Sequence, residues 1–185
     1  MKKKILLLVQ VRMGSKRLPK KSILDLAGKP MIYRIIERLK RCKLPDDIIL
    51  ITSKKKEDNI FKKISKNLNV KIFFGSENNL VERHLQAAKK FGGQIIVRVP
   101  GDNCLSEPSE IDKIIKHHIN QSKRSFTSNL TNIFKSGYPD GLGAEVFDYL
   151  TLKEIAKKKI NKLKKEHLSL NFFDYTKQKK INQSF

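Results

Sequence analysis

Apolar and polar positions along the chain follow two different spacings. Continuous apolar runs at 4–11, 48–52, 70–74 and 94–99 read as strands covered on both faces. Between them, apolar residues recur three or four positions apart. Ile32, Ile35, Ile36 and Leu39 follow Pro30, which suits the first turn of a helix. Ile60, Phe61, Ile64 and Leu68 mark a second helix over 59–68, and Leu80, His84, Leu85, Ala88 and Phe91 a third over 80–91. A fourth, over 107–119, carries Ile111, Ile114, Ile115 and Ile119, with Pro108 and several carboxylates at its start. Strand and helix in turn imply βαβ units and an α/β fold, a mostly parallel sheet with helices on both faces. Beyond residue 122 the pattern loosens. Strands are expected at 126–130 and 144–149 and one helix over 150–163, whereas the tail from Glu166 is poorly periodic.

No internal repeat or interdomain linker interrupts this order, so 185 residues read as one domain. Hydrophobic residues make up 39% and charged residues 31%, enough apolar side chains for a core without staples. Cys42 and Cys104 are too few and too far apart for a disulfide framework. Three lysines before an apolar run imitate a secretory leader, but Gln10 and Arg12 cut the run short and no small-residue cleavage site follows. No run is long enough to span a membrane, and the cytoplasm is the expected location.

Charge changes the picture more. The net charge is +22, of which residues 1–43 hold +12, 44–150 hold +3 and 151–185 hold +7. Basic ends suit a polyanion such as nucleic acid, or a nucleoside triphosphate at the first end. Lysine outnumbers arginine 32 to 8, which fits compositional bias, and the lack of Trp leaves little for base stacking. Bias plus a local phosphate site accounts for the charge better than nucleic acid does.

Open parallel sheets bind ligands beyond the carboxyl ends of their strands. That rule selects residues 12–21, 52–58 and 100–104. The first segment, from Arg12 to Lys21, offers five cationic side chains, Gly14 and Ser15. It is either a phosphate cradle or an exposed basic loop, and it is neither a Walker A nor a GxGxxG motif. Thr52-Ser53-Lys54 is a polar turn. Asp102, after the fourth apolar run, is either a magnesium ligand or a turn residue. His117 and His118 are adjacent on one helix and point apart, so they do not form a joint metal site. No HExxH, CxxC or GxSxG motif is present.

Several of these stretches occur together and in order. Residues 10–19 read QVRMGSKRLP, followed by Lys21 and by LAGKP at 26–30. Then come Gly75-Ser76-Glu77 with Glu82-Arg83, and Arg98-Val99 with Gly101-Asp102. Tyr138-Pro139-Asp140-Gly141-Leu142 with Glu145-Val146-Phe147, and Glu166-His167, complete the series. Over residues 4–175 the chain resembles the sugar cytidylyltransferases of the spore-coat-polysaccharide type, related to acylneuraminate and CMP-Kdo synthetases.

The resemblance implies a three-layer α/β/α, Rossmann-like nucleotide-diphospho-sugar transferase fold. It implies transfer of CMP from CTP to a sugar acid with release of pyrophosphate, with Mg²⁺ as cofactor, in surface-polysaccharide synthesis. By position, Arg12, Ser15, Arg17 and Lys21 would hold the triphosphate, and Ser53 and Arg83 would lie near the cytosine and ribose. Asp102 would bind the metal, and Glu145 and His167 would line the sugar pocket. A homodimer through the second half is also implied, with no nucleic-acid or membrane partner. Three positions depart from the pattern: Lys20 replaces a glycine, Gly143 stands where an aspartate is frequent, and the chain stops at Phe185 before an aspartate-bearing segment, which Asp174 does not replace. The expectation is therefore a single nucleotidyltransferase domain shortened at its C-terminal end. The alternative is a truncated homologue that binds nucleotide or CMP-sugar without turnover.

Overall fold

The structure, a computed structural model, describes residues 2–15, 17–122, 124–129, 139, 141–179 and 183–184, with side chains up to Phe173. Lys16, Tyr138 and Asp140 of the sequence motifs, and the side chain of Asp174, lie outside the described residues.

The first four apolar runs form β1 (Ile5–Gln10), β2 (Asp47–Ser53), β3 (Lys71–Gly75) and β4 (Ile95–Pro100). Helices α1 (Met31–Leu39), α2 (Ile60–Asn67) and α3 (Leu80–Phe91) connect them, and α4 (Pro108–Ile119) follows β4. Their ends follow local chemistry. Pro30 is the residue just before α1. Asn79 caps α3 by accepting the Glu82 N–H, and Gly92, at φ 72°, closes it. β1 pairs in parallel with both β2 and β4, and β2 with β3.

The second half departs from this regularity. β5 (Phe126–Ser128) is followed by β6 (Glu145–Asp148), which inserts between β4 and β5 and runs antiparallel to both. A short β7 (Gln183–Ser184) completes the order β3-β2-β1-β4-β6-β5-β7. The strand expected to run to Leu130 stops at Ser128. There Asn129 turns its side-chain oxygen to the Ala144 N–H at 2.8 Å. The single helix expected over 150–163 is two, α5 (Tyr149–Ala156) and α6 (Lys162–Glu166). Asn161 accepts the Lys164 N–H and so starts a new helix where a lysine run offers no apolar stripe to continue the old one. The poorly periodic tail forms α7 (Leu168–Lys179).

Alternate strand residues supply two cores. Ile5, Leu7 and Val9 face the side covered by α1, α2 and α4, whereas Leu6 and Leu8 face α3, α5 and α7. This is the expected three-layer α/β/α arrangement. On the second side, Phe126, Phe147 and Phe172 stack, with ring centroids of Phe147 and Phe172 4.4 Å apart, and fasten α7 to the antiparallel strands. Gly101 ends β4. Its N–H donates to the Gln10 carbonyl at 2.8 Å, and a Cβ there would lie 2.3 Å from that oxygen. Only glycine lets the chain turn this close to β1 before Asp102.

Candidate functional site

A cleft of about 310 Å³ opens at the carboxyl ends of β1 and β4. One wall is the loop after β1, with Arg12, Ser15, Arg17 and Lys21. Gln10, Arg98 and Pro100 form the floor, Asp102 stands at its rim, and Glu166 and His167 approach from the end of α6. Segments 12–21 and 100–104 thus meet, as the topology predicts, and His167 joins them from the last third of the chain.

The loop is held from beneath by one buried carboxylate. Asp58 is 1% exposed and sits in the turn before α2. It accepts the Met13 N–H at 2.7 Å and the Ser53 N–H at 3.2 Å, and Ser53 also donates its hydroxyl to it. Ser53 is therefore an anchor under the loop, fully engaged, and not part of the cleft wall. Further along the loop, Lys20 adopts φ 56° and its N–H returns to the Met13 carbonyl. A glycine would hold that left-handed conformation without strain.

Arg83 also lies behind the wall. It is buried, lies close against Gly75 and donates to the carbonyls of Ser76 and Glu77 at 2.7 and 3.0 Å. Its Nη1 has no partner among the described residues. Burial pushes its pKa down to about 10; Asp58 acts in the opposite sense, and nearby Arg12 adds to the lowering. Next to it, His84 is wholly buried and donates its Nδ1–H to the Leu80 carbonyl at 2.7 Å. Burial, followed by the charge of Arg98, pushes its pKa down to about 3.

Lys21 forms an ion pair with Asp102, whose side chain is 42% exposed. Magnesium is usually held by one or two carboxylates together with substrate phosphates. Asp102, with Glu166 in the same cleft, fits a metal that arrives with a polyphosphate. Among the described residues no three or more His, Cys, Asp or Glu converge, so a cage built by protein alone is not found.

Glu145 does not face the cleft. It is 2% exposed and meets Arg98 directly across the β4–β6 pair, with Oε2 2.7 Å from Nη1. Its other oxygen accepts the Ser169 hydroxyl from α7. Arg98 is the residue on the cleft side of this pair. Sequence reasoning quoted it in a motif and assigned it no role. The available signal was a polar residue within or at the edge of an apolar run, Gln10, Arg98 and Glu145. The register sets Arg98 opposite Glu145, and the Gln10 side chain reaches Arg98 Nε at 3.3 Å.

Gly143 accounts for one departure from the family pattern. A Cβ there would lie 2.3 Å from the Asn129 side-chain oxygen, so an aspartate at that position would displace the Asn129 side chain from the Ala144 N–H it accepts.

The cytidylyltransferase family profile matches residues 6–180. A Methanocaldococcus jannaschii protein of uncharacterised function is 35% identical over 166 residues, 90% of this chain and 65% of its own length. The spore coat polysaccharide biosynthesis protein of Bacillus subtilis is 28% identical over 83% of this chain and 62% of its own. A 3-deoxy-manno-octulosonate cytidylyltransferase of Geobacter sulfurreducens is 30% identical over 58% of this chain and 42% of its own. The chain thus spans less than two thirds of the length of these relatives. Among solved structures, a cytidylyltransferase from Leptospira borgpetersenii superimposes with a TM-score of 0.88 at 28% identity, covering 99% of this chain and 75% of the other.

Proposed function

The chain belongs to the cytidylyltransferase family, and from that premise we propose that it transfers CMP from CTP to a nonulosonate- or Kdo-like sugar acid with release of pyrophosphate. The relatives named for spore-coat polysaccharide and for 3-deoxy-manno-octulosonate support surface-glycan synthesis as its setting. CTP is made in the cytoplasm, which is the proposed location.

The observation that carries this reading is the cleft itself. Arg12, Ser15, Arg17 and Lys21 line one wall, Asp102 stands opposite, and no nucleophilic triad accompanies them among the described residues. Such a site suits in-line displacement, in which the acceptor brings its own nucleophile and the protein supplies position and charge. An acceptor hydroxyl oxygen bonds to the α-phosphorus, and the bond from that phosphorus to the β-bridging oxygen breaks. Pyrophosphate leaves with the bonding pair. The hydroxyl proton passes to the imidazole of His167 in the cleft wall. Arg12, Arg17 and Lys21 hold the departing phosphates, while Arg83 and the Ser53–Asp58 anchor shape the nucleoside end from behind. When bound through Asp102, magnesium supplies further neutralisation of the phosphate oxygens.

Thermal melting with CTP, UTP, GTP and ATP, each with and without Mg²⁺, tests the reading. Ligand at about 100 times its dissociation constant adds roughly 2.7 kcal/mol and raises the melting temperature by several degrees. A shift selective for CTP and enhanced by Mg²⁺ is expected, followed by pyrophosphate release on addition of a sugar acid. Binding of CTP without pyrophosphate release would mark the chain as a nucleotide-binding homologue. No shift with any nucleotide would overturn both readings.

A further inference from the structure

We propose that Arg98 receives the carboxylate of the acceptor, and that Glu145 and Ser169 are positioning residues that aim it. This assignment rests on the cytidylyltransferase reading and names the part of the acceptor that the cleft recognises.

Arg98 lies on β4, between the cationic loop after β1 on one side and β6 on the other. Two of its nitrogens are tied. Nε donates to the Gln10 side chain at 3.3 Å and Nη1 to Glu145 at 2.7 Å. Nη2 has no partner among the described residues and is not sealed from solvent, and Arg98 is a lining residue of the cleft. Glu145 is fixed in turn by the Ser169 hydroxyl at the start of α7. The guanidinium plane is thus set by strand, strand and helix, and one edge is left to donate.

Charge decides what that edge takes. The loop wall carries Arg12, Arg17 and Lys21, which suit a polyanion. Arg98 is neutralised by a buried carboxylate at its back. A phosphoryl dianion placed there would meet Glu145 repulsion with no spare cation. A carboxylate carries a single charge spread over two oxygens and is planar, as is the guanidinium edge. The arrangement therefore separates the two anions of the reaction, triphosphate to the loop and carboxylate to the floor. It also ties recognition of the acceptor to docking of α7.

The test uses the whole chain and follows the arginine side-chain ¹H–¹⁵N signals, with Arg98 assigned by its loss in Arg98→Lys. Pyruvate, N-acetylneuraminate and 3-deoxy-manno-octulosonate are titrated, each against its methyl ester, with and without the unreactive α,β-methylene analogue of CTP. We expect the Arg98 signal to move with at least one acid and not with its ester. Arg98→Met combined with Glu145→Gln removes both charges, so no bare buried carboxylate remains, and melting checks its fold. In that variant the affinity for the acid should fall by about tenfold or more, the loss expected of a hydrogen bond to a charged group. Affinity for the CTP analogue should change less than about twofold, which any α-phosphate contact would exceed. Ser169→Ala should weaken acid binding and broaden the Arg98 signal while Arg98 itself is kept. Glu145→Gln, which frees the guanidinium but also removes the repulsion behind it, should broaden that signal as well. An Arg98 signal that ignores every acid, or follows the esters equally, overturns the proposal. So does a double variant that loses the CTP analogue and keeps the acid. Failure of the analogue to bind wild type would instead defeat the CTP reading, and the titrations without it would still judge Arg98.

Discussion

The two sides of the cleft handle charge in opposite ways. On the loop side, Arg12 and Arg17 are exposed and have no ion-pair partner among the described residues. On the floor, Arg98 and Glu145 are nearly sealed, and each is matched by the other, by Gln10 or by Ser169. Spare charge in water costs little and waits for a polyanion. Buried charge is costly unless paired and hydrogen-bonded, so it is kept where direction matters more than strength. Binding power and geometric selection are thereby separated within one small site.

The largest expected effect comes from breaking the floor pair. Arg98→Met leaves Glu145 charged and without its cation, held only by the Ser169 hydroxyl, and should cost about 3–5 kcal/mol of unfolding free energy in urea titrations. Arg17→Ala should change stability by less than about 0.5 kcal/mol and still lower CTP affinity by about tenfold or more. Equal effects of the two substitutions on stability would erase the distinction between the sides.

Acid probes the underside of the floor. His84 is buried with its pKa pushed down to about 3, chiefly by burial and then by Arg98 and Arg83. In the unfolded chain it titrates near its ordinary value of about 6.5. Between those values the unfolded state binds a proton that the folded state refuses. Stability is therefore complete above about pH 6.5 and falls with pH by roughly 1.4 kcal/mol per unit, about 2–3 kcal/mol by pH 4.5. His84→Met should flatten this slope. The depressed carboxyl of Asp148, beside His118, acts at lower pH in both proteins and cancels in the comparison. An unchanged slope in His84→Met would mean that the imidazole takes up its proton while folded.

On the loop side, Asp58 is a buried charge that the loop backbone itself leans on. In Asp58→Asn an amide NH₂ must meet the Ser53 N–H or the Met13 N–H, one donor facing another. The expected cost is about 2 kcal/mol. CTP affinity should fall with it because Met13 starts the cationic turn. Intact affinity in a destabilised Asp58→Asn would show that the loop is organised by its own residues.

How much of this was legible follows the same division. The first four strands and their helices stand out because a two-sided core needs both Ile5-Leu7-Val9 and Leu6-Leu8, giving unbroken apolar runs. Strand direction leaves no such mark, so the reversal of β6 was not visible in 144–149. Nor was the break at Asn161, where a side-chain cap outweighs a continuing lysine-rich turn. In the site, the loop position follows from topology alone. The Arg98–Glu145 pair joins residues far apart in sequence and needs the antiparallel register to bring it together. Ser53 and Arg83 were named from motif position, which locates a residue along the chain and not the side of the wall on which its side chain lies.

The smallest effect has the opposite sign and tests the loop backbone alone. Lys20 holds φ 56° between Leu18 and Ser22, where its N–H reaches back to Met13. A left-handed residue with a Cβ costs about 1–2 kcal/mol, part of which glycine returns through its greater freedom in the unfolded chain. Lys20→Gly should therefore raise unfolding free energy by about 1 kcal/mol, although it removes one of the loop's cations. Measured at low and high salt, the gain should persist when screening is strong, because its source is a dihedral angle and not a charge. A gain present only at low salt would point to relief of repulsion among Arg17, Lys20 and Lys21. In that case the loop would be strained by the same spare charge that prepares it for a triphosphate.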